Sequence, residues 1–465
     1  MLYDIRIVST FPPRRCGIGT FARDLTRSLV NFPDEVNQVK VAAIDNENIR
    51  YKNPVDITIN QYETRSWQSA VSKIIEKAEK TNNPTIVLLQ HEFGLDPDPK
   101  GRDARGTNFL NLAKAFKDAQ LITLVYLHTV LSEPNEHQKN VIKQLGSVSD
   151  GIIVTTESAI DILESPAYRI DNTKLKHIDH GIRMHHPSQY DRLQIKKQLG
   201  LENRFLVTTL GLQSPDKGID YGIRGYAAFL DASLTPEQRK NIVYLIAGQP
   251  HPVFVKADNS RPYRRYQQRI DDVLKETDLR FTRVKQLENL KPGRDELIFL
   301  ENYIDEDTLL NLYGATNVML LPYLNAEQIS SGVLADTLGA GRVAVTTKFR
   351  YAVEIINSNR KCRSGLMIGR HARGILVDAG EGSVKQIAQA LDFLVFNQPR
   401  RLRMEKQAHQ RGYQMRWENT AWALLQYIKF IIEEKEIVTG RGLTFKRQKS
   451  SKLEKKTKIP PTQCD

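Results

Sequence analysis

The segment 10-TFPPRRCGIGTFARDL-25 follows an apolar stretch, Ile5–Ser9, that reads as the first strand of the chain. Gly17, Gly19 and Ala22 spell G-x-G-x-x-A where a helical pattern begins. Strand, glycine loop and helix start, in that order, open a dinucleotide-binding α/β unit, whose glycines admit a phosphate to free backbone amides. The spacing departs from that unit. Its first glycine turns the chain directly after the strand, whereas here seven residues, TFPPRRC, intervene. Asp45 lies near the end of the second apolar run, where a ribose-binding acid would stand, so a nicotinamide or flavin protein stays open on these residues. The other reading is a loop that reaches across a cleft, with Gly17 and Gly19 letting its backbone lie against a ligand held mainly by another domain. Both glycines are then expected to tolerate no side chain. Arg14 and Arg15 either add positive charge to the loop or form a solvated pair.

Outward from this unit, β-rich apolar runs alternate with amphipathic stretches. Strands are expected at 4-DIRIVS-9, 39-VKVAAI-44, 85-TIVLLQ-90, 121-LITLVYL-127 and 151-GIIVTT-156. A helix is expected at Trp67–Lys80, where Val71, Ile74, Ile75 and Ala78 share a face. After the charged stretch Tyr190–Asn203 the pattern restarts with 205-FLVTTLG-211, 242-IVYLIAG-248, 296-ELIFLE-301, 317-NVMLLPY-323 and 343-VAVTT-347. Such alternation implies parallel sheets with helices on both faces. The fold class is therefore α/β, with two doubly wound Rossmann-like domains facing a cleft. Residues 1–190 form the first domain and 200–400 the second, with a linker near 185–203. Residues 401–437 form C-terminal helices, the last carrying Trp422, Leu425, Ile428 and Ile432 and packing back toward the first domain. Residues 438–465 form a basic disordered tail.

Ligands of open α/β sheets bind beyond the carboxyl ends of the strands, so the tips matter most. They read 90-QHEFGL-95, 128-HTVLSEP-134, 180-HGI-182, 211-GLQSPDKG-218, 248-GQPHP-252 and 323-YLNAEQISSG-332. His91, His128, His180 and His251, four of the ten histidines, thus follow strands. Each alone suits a structural hydrogen bond as well as chemistry, and together they share no metal-ligand spacing, so no metal site is expected. Lys217 in the S-P-D-K-G turn is placed to hold a phosphate as a point charge, or else is an exposed turn lysine. Ser330, Ser331 and Gly332 open a helix at Val333–Leu338. Small residues there suit an anion on the free amides, and equally suit simple capping.

The bulk composition agrees with a phosphorylated ligand without requiring one. The 465 residues carry a net charge of +13, and eight basic residues between Arg441 and Lys458 face one acid, Glu454. That tail either contacts an anionic membrane face or only solubilises the chain; no specific nucleic acid is expected. No apolar run spans a bilayer and the chain enters a strand directly, which points to a cytoplasmic protein, peripheral to the inner membrane face if the tail binds there. Three scattered cysteines, Cys16, Cys362 and Cys464, fit a reducing compartment and no zinc site.

Seven of these motifs, standing in order, resemble those of a known family. They are Pro12–Phe21, Gln90–Gly94, Leu127–Val130, His180–Ile182, Ser214–Gly218, Gly248–Pro252 and Gln328–Gly332. The chain resembles retaining GT-B glycosyltransferases of family 4 (glycosyl transferases group 1), closest to a mannosyltransferase-like subgroup, over roughly residues 4–435. The resemblance implies a hexosyltransferase that moves a hexose, such as mannose from GDP-mannose, from a nucleoside diphosphate sugar to a saccharide or glycan acceptor. Retention of configuration, no metal and no cofactor beyond the co-substrate are implied with it. Lys217, Ser330, Ser331, Gly332, Gly17 and Gly19 would hold the diphosphate, and Ile304 in 303-YID-305 would border the base. His128 would lie beside the donor sugar and, with Lys217, act in catalysis. His91 and Glu92 would be nearer the acceptor. The leaving phosphate itself would take the acceptor proton, so no carboxylate base is assigned.

Three departures bear on this. Many relatives carry two glutamates with seven residues between them; here Asp336 takes the second, ribose-binding place and Gln328 the first, with Glu327 one residue off. Leu212 or Gln213 stands where relatives have an arginine before the lysine. The segment 95-LDPDPKGRDARG-106 is charged where relatives are glycine-rich and apolar. A nucleotide-sugar-binding or scaffold protein that has lost turnover is the alternative these changes motivate, and an NAD-dependent oxidoreductase is the less favoured one.

Overall fold

The computed structural model describes residues 1–97, 106–183, 191–251, 261–287, 293–356, 366–369 and 371–439. Two seven-stranded sheets account for the alternating pattern. The first comprises β1 (Tyr3–Ser9), β2 (Val36–Asp45), β3 (Val55–Asn60), β4 (Thr85–His91), β5 (Ile122–Leu127), β6 (Gly151–Val154) and β7 (Leu175–His177). Its strand order is β3-β2-β1-β4-β5-β6-β7. The second comprises β8 (Phe205–Leu210), β9 (Ile242–Ala247), β10 (Phe281–Val284), β11 (Leu297–Leu300), β12 (Val318–Leu321), β13 (Val343–Thr347) and β14 (Gly374–Val377), in the order β10-β11-β9-β8-β12-β13-β14. Every ladder in both sheets is parallel. Helices cover both faces of the central strands, so these are buried along their length, as in β1, where all seven residues are buried, Asp4 and Arg6 included.

Strand order reverses between β1 and β4 in the first sheet and between β8 and β12 in the second. Loops at such points diverge to opposite faces and leave a crevice. The loops that leave these four strands are TFPPRRCGIG, EFGL, GLQSPDKG and PYLNAEQISSG, so four of the conspicuous motifs border the two crevices.

The structure corrects several sequence expectations. Strands β3 and β10 were not anticipated. Both are sheet edges that alternate more and less exposed residues, and β3 follows a proline, so neither shows an apolar run. Part of the proposed linker is a helix, Arg192–Gln198, whose first amides at Leu193 and Gln194 are capped by the Asp191 carboxylate; residues 184–190 lie outside the described set. The helix expected at Val333–Leu338 spans Gly332–Gly339. Trp422 does not belong to the buried face of the last helix, Trp417–Thr439: it is 53% exposed. The stripe is Trp417, Ala421, Leu424, Leu425, Ile428, Ile431 and Ile432, which packs with Phe21 and Leu25 of helix Gly17–Leu29. The terminal helix, which follows the second sheet in sequence, therefore completes the core of the first. The tail beyond Thr439 and residues 98–105 of the charged loop lie outside the described residues.

Candidate functional site

The long loop after β1 is held at both ends. Arg14 donates to the Ile44 carbonyl (2.9 Å) and to Gln61 Oε1 (2.7 Å), which fixes the loop to the tip of β2. Arg15 crosses to the second domain. Its guanidinium lies 4.3 Å from the Tyr303 ring centre and donates to Gln249 Oε1 at 3.2 Å. Helix Gly17–Leu29 then begins with no side-chain cap on its first turn, so its leading amides are free for an anion. Gly19 is tightly enclosed, with Phe11 N and Thr10 Oγ1 both 3.3 Å from where a Cβ would stand. Gly17 is not: no atom lies within 4 Å of that position. Protein packing alone therefore excludes a side chain at Gly19 but not at Gly17, which faces open space at the helix start.

Strand alternation decides which histidine meets the cleft. Gln90 pairs in register with Tyr126, and His91 with Leu127. His128, two residues beyond Tyr126, shares the Tyr126 face, on which helix Gly17–Leu29 packs. Its ring stacks on Tyr126 at 5.3 Å and meets the edge of Phe21 at 5.1 Å. His91 points the other way. It is fully buried against Phe93 and Phe109, neither ring nitrogen has a partner, and burial pushes its pKa down to about 3. His91 therefore faces the core of the first domain, on the opposite side of the sheet from His128. Glu92 accepts the Thr129 hydroxyl and a long bond from the Gly94 amide (3.4 Å). His180 lies 5.1 Å from Phe21, on whose ring His128 also abuts, and its Nδ1 donates to the Gly181 carbonyl at 2.7 Å. Three of the four tip histidines thus cluster in the first domain, while His251 lies in the second, where burial and Lys217 both lower its pKa.

In the second domain, Lys217 sits in the short turn Pro215–Lys217, its ammonium 3.7 Å from the centre of the buried Tyr323 ring. Gly218 closes the turn with φ +59°, and a Cβ there would stand 2.1 Å from the Pro322 carbonyl oxygen, so only glycine fits. Ser331 caps the helix Gly332–Gly339 by accepting from Leu334 N (3.3 Å), leaving amides of the first turn without intrahelical partners. Ser330 offers its carbonyl to Gln328 Nε2 (2.7 Å). Gly211, at the tip of β8, faces Val333, and Gly332 faces the His180 ring, 3.8 Å from its Cβ position. The Gly332 helix start, His180, Phe21 and His128 therefore neighbour one another in turn across the two domains, and the loop carrying Lys217 leaves β8 beside β12, the strand that leads to that helix.

Glu327 has another task. Its carboxylate takes Arg350 Nη2 at 2.9 Å on both oxygens and the Ser132 amide of the first domain at 2.9 Å. Burial opposes its ionisation, but the Ser132 and Arg350 bonds outweigh it and hold the pKa low. Gln328 is the freer of the two. Asp336 lies beside Arg183, Asp24 and Glu306. Burial pushes its pKa up to about 7, with Arg183 opposing and Asp24 and Glu306 adding to the rise. Arg183 donates to Asp24 at 2.6 Å and Glu306 at 2.8 Å, and Arg23 bridges the same two acids. Ile304 is half-buried against the second core, beside the exposed Tyr303. A cavity of about 490 Å³ opens at the tips of β8, β9 and β11, lined by Gln213, Pro250, Tyr263, Tyr266, Phe299 and Glu301.

Sequence reasoning missed Phe21, Gln90 and Arg183, although the first two lie inside quoted motifs. Asp45 is corrected as a ribose ligand: its carboxylate is consumed by the amides of Glu47 (3.0 Å) and Ile49 (2.8 Å) in its own loop.

No protein-family model matches the chain, and no curated protein does. Solved structures do match. HepE of Anabaena in complex with UDP superimposes with a TM-score of 0.63 at 14% identity, covering 92% of this chain and 100% of that one. A UDP-forming α,α-trehalose-phosphate synthase from Burkholderia xenovorans gives 0.62 at 12%, covering 92% and 99%. An E. coli trehalose-6-phosphate structure bound with UDP-2-fluoro glucose gives 0.63 at 11%, covering 92% and 98%. The chain has the GT-B fold. At these identities the likeness speaks for architecture alone.

Proposed function

We propose that the chain is a retaining, metal-independent hexosyltransferase of the family 4 type, using a nucleoside diphosphate sugar and a saccharide or glycan acceptor. The observation that carries this is the succession of the Gly332 helix start, His180, Phe21 and His128 across the two domains, with the Lys217 turn on the strand next to the one that leads to that helix. A cation, the uncapped Gly17 helix start, the Ser331-capped Gly332 helix start and a neutral imidazole would then border one cleft. The structures it resembles include HepE with UDP-glucose, which supports a nucleotide-sugar ligand. The second domain, residues 200–400, would seat the donor, and the first, 1–190, the acceptor.

Breaking a sugar–diphosphate bond requires that charge developing on the departing diphosphate be met by fixed positive potential. Lys217 supplies a point charge, and the amides at Ser331–Gly332 and Gly17 supply oriented dipoles. The loop anchored by Arg14 and carried across by Arg15 brings the Gly17 amides over the donor. The base would lie against Tyr303–Asp305, with the neighbouring cavity behind it, and Asp336 would bind ribose. His128, neutral and clamped by Tyr126 and Phe21, would contact a hydroxyl of the donor sugar. On a same-face route the acceptor proton leaves on the diphosphate, so no carboxylate base is needed.

One observation favours the second reading, a binder without turnover. Glu327 is consumed by Arg350 and Ser132, leaving Gln328 as the sugar contact. Turnover with a panel of donors and acceptors decides between them. Thermal-shift titration with GDP, UDP, ADP, their mannose and glucose esters, NAD and FMN tests the ligand class, GDP-mannose and UDP-glucose being the first donors to assay. A shift with NAD or FMN alone overturns the proposal. If a nucleoside diphosphate binds, Lys217→Ala should weaken it by at least about tenfold, and activity should survive EDTA. No described helix is long and apolar enough to cross a membrane. Cytoplasmic location and contact of the basic tail with an anionic membrane are part of the proposal, tested by sedimentation with anionic vesicles.

A further inference from the structure

We infer that Gln90 is a positioning residue that fixes the tautomer of His128, presenting Nδ1 as a hydrogen-bond acceptor to a ligand hydroxyl in the cleft. The inference about the tautomer stands on the geometry alone; the hydroxyl partner rests on the transferase reading.

The argument begins with register. Gln90 lies opposite Tyr126 on adjacent parallel strands, and His128 follows Tyr126 by two residues on the same face. The Gln90 side chain is thereby brought to the His128 ring. Gln90 Oε1 and His128 Nε2 form a short hydrogen bond in a wholly buried setting. A carbonyl oxygen can only accept, so the bond places the ring proton on Nε2. The other ring nitrogen has no hydrogen bond among the described residues and is not among the sealed, unpartnered atoms, so Nδ1 reaches solvent. Stacking on Tyr126 and the edge of Phe21 stop the ring from turning to exchange the two nitrogens. The ring is also kept neutral: burial, then the neighbouring His180 and His91 imidazoles, push its pKa down to about 3. Those two imidazoles are the titratable groups that act on it, and neither is an anion that would favour imidazolium.

Such an arrangement differs from structural burial in a specific way. His91, buried on the other face of the sheet, has neither nitrogen partnered. His128 has one nitrogen tied and one offered. An oriented neutral acceptor selects for a hydroxyl at a fixed position, which is what discrimination among epimeric sugars requires.

The test uses the full chain labelled with ¹⁵N-histidine. Long-range ¹H–¹⁵N correlation at pH 7 should show His128 as a single Nε2–H tautomer, its signals assigned by their loss in His128→Asn. Gln90→Leu should convert it to a mixture of tautomers, with folding checked by circular dichroism. Gln90→Glu should restore the Nε2 proton and raise the pH at which imidazolium appears. If a donor has been found, Gln90→Leu should lower kcat about tenfold while nucleoside diphosphate affinity stays within about twofold. Gln90→Glu should recover kcat at high pH only, moving the acidic limb of the profile upward. An Nδ1–H tautomer or imidazolium in the wild type, or an unchanged single tautomer in Gln90→Leu, overturns the positioning role. If the tautomer behaves as stated but no nucleotide sugar binds the wild type, it is the transferase reading that fails.

Discussion

Gly17→Ala separates the loop's role in folding from its role in binding, because the two effects have opposite sign. The added methyl meets nothing within 4 Å, and Gly17 is the first residue of its helix with no positive φ. Replacing a glycine by alanine under those conditions stabilises the fold by about 0.4–1 kcal/mol, through lost freedom in the unfolded chain. For a domain of this size that raises Tm by about 1–4 °C without ligand. If a diphosphate sits on the Gly17 amide, the same methyl occupies its place. Losing one hydrogen bond to a charged group costs about 1.5–3 kcal/mol, or about 10- to 150-fold in affinity. At a nucleotide concentration 100 times the wild-type Kd, ligand stabilisation is about 2.7 kcal/mol, and a hundredfold weaker variant keeps only about 0.4 kcal/mol. Scanning fluorimetry with and without GDP or UDP reads both effects in one plate. Gly19→Ala is the control. Its Cβ would stand 3.3 Å from Phe11 backbone nitrogen, which has little room to give, so its Tm without ligand should fall. A Gly17→Ala protein that melts lower without ligand would falsify the open space at this position. An undiminished nucleotide shift would show that no phosphate approaches it.

Gly248→Ala should destabilise the second domain by about 3 kcal/mol or more, since φ is +146° and the new Cβ would stand 2.0 Å from the Gly211 carbonyl oxygen; chemical denaturation measures it, and a loss under about 1 kcal/mol refutes the tip geometry. Glu327→Ala should leave nucleoside diphosphate affinity unchanged while lowering stability by about 1 kcal/mol, whereas Gln328→Ala should weaken the intact donor but not the bare nucleotide. A reversed pattern in calorimetry returns Glu327 to the sugar. Stability should also respond to acid with a definite sign. His91 and His128 have folded pKa values near 3, below their unfolded 6.5, so the unfolded chain binds more protons between those values. Each removes up to about 1.4 kcal/mol per pH unit as pH falls below 6.5. Asp336, raised to about 7 from 3.8, acts oppositely between those values and cancels about one of them. Asp336→Asn should therefore steepen the loss of Tm between pH 6.5 and 4.5, and an unchanged slope disproves its elevated pKa.

The doubly wound architecture was legible because central parallel strands are buried on both faces and show as unbroken apolar runs. The edge strands β3 and β10 escaped because an edge alternates, carries charge such as Arg283, and tolerates a flanking proline such as Pro54. The strand tips were legible for the same reason as the strands: a run of apolar residues that stops has an end, and the residue after it can be named. Trp422 misled because a large apolar residue in an amphipathic helix was assigned to the buried stripe, whereas the spacing of Ala421, Leu424, Leu425 and Ile428 runs one residue to its side.

The face a tip residue serves is a harder matter, and it governs which histidine meets the glycine-loop helix. In 85-TIVLLQH-91 the residues alternate between two faces, Leu88 and Gln90 on one, Val87, Leu89 and His91 on the other. Both sets are apolar, since both faces of the sheet are covered, so composition does not say which one meets the cleft. What decides it is the neighbour. Helix Gly17–Leu29 and the returning Trp417–Thr439 helix cover the Leu88 face, and the free start of the former opens beside it. Gln90 and His128 therefore look toward the glycine loop, and His91 looks into the core. The long insertion TFPPRRC that spoiled the dinucleotide spacing serves the same end. It carries Gly17 away from the tip of β1 and spans the cleft to Tyr303 and Gln249. The uncapped amides of the first domain are thereby brought to the side of the cleft that faces the second.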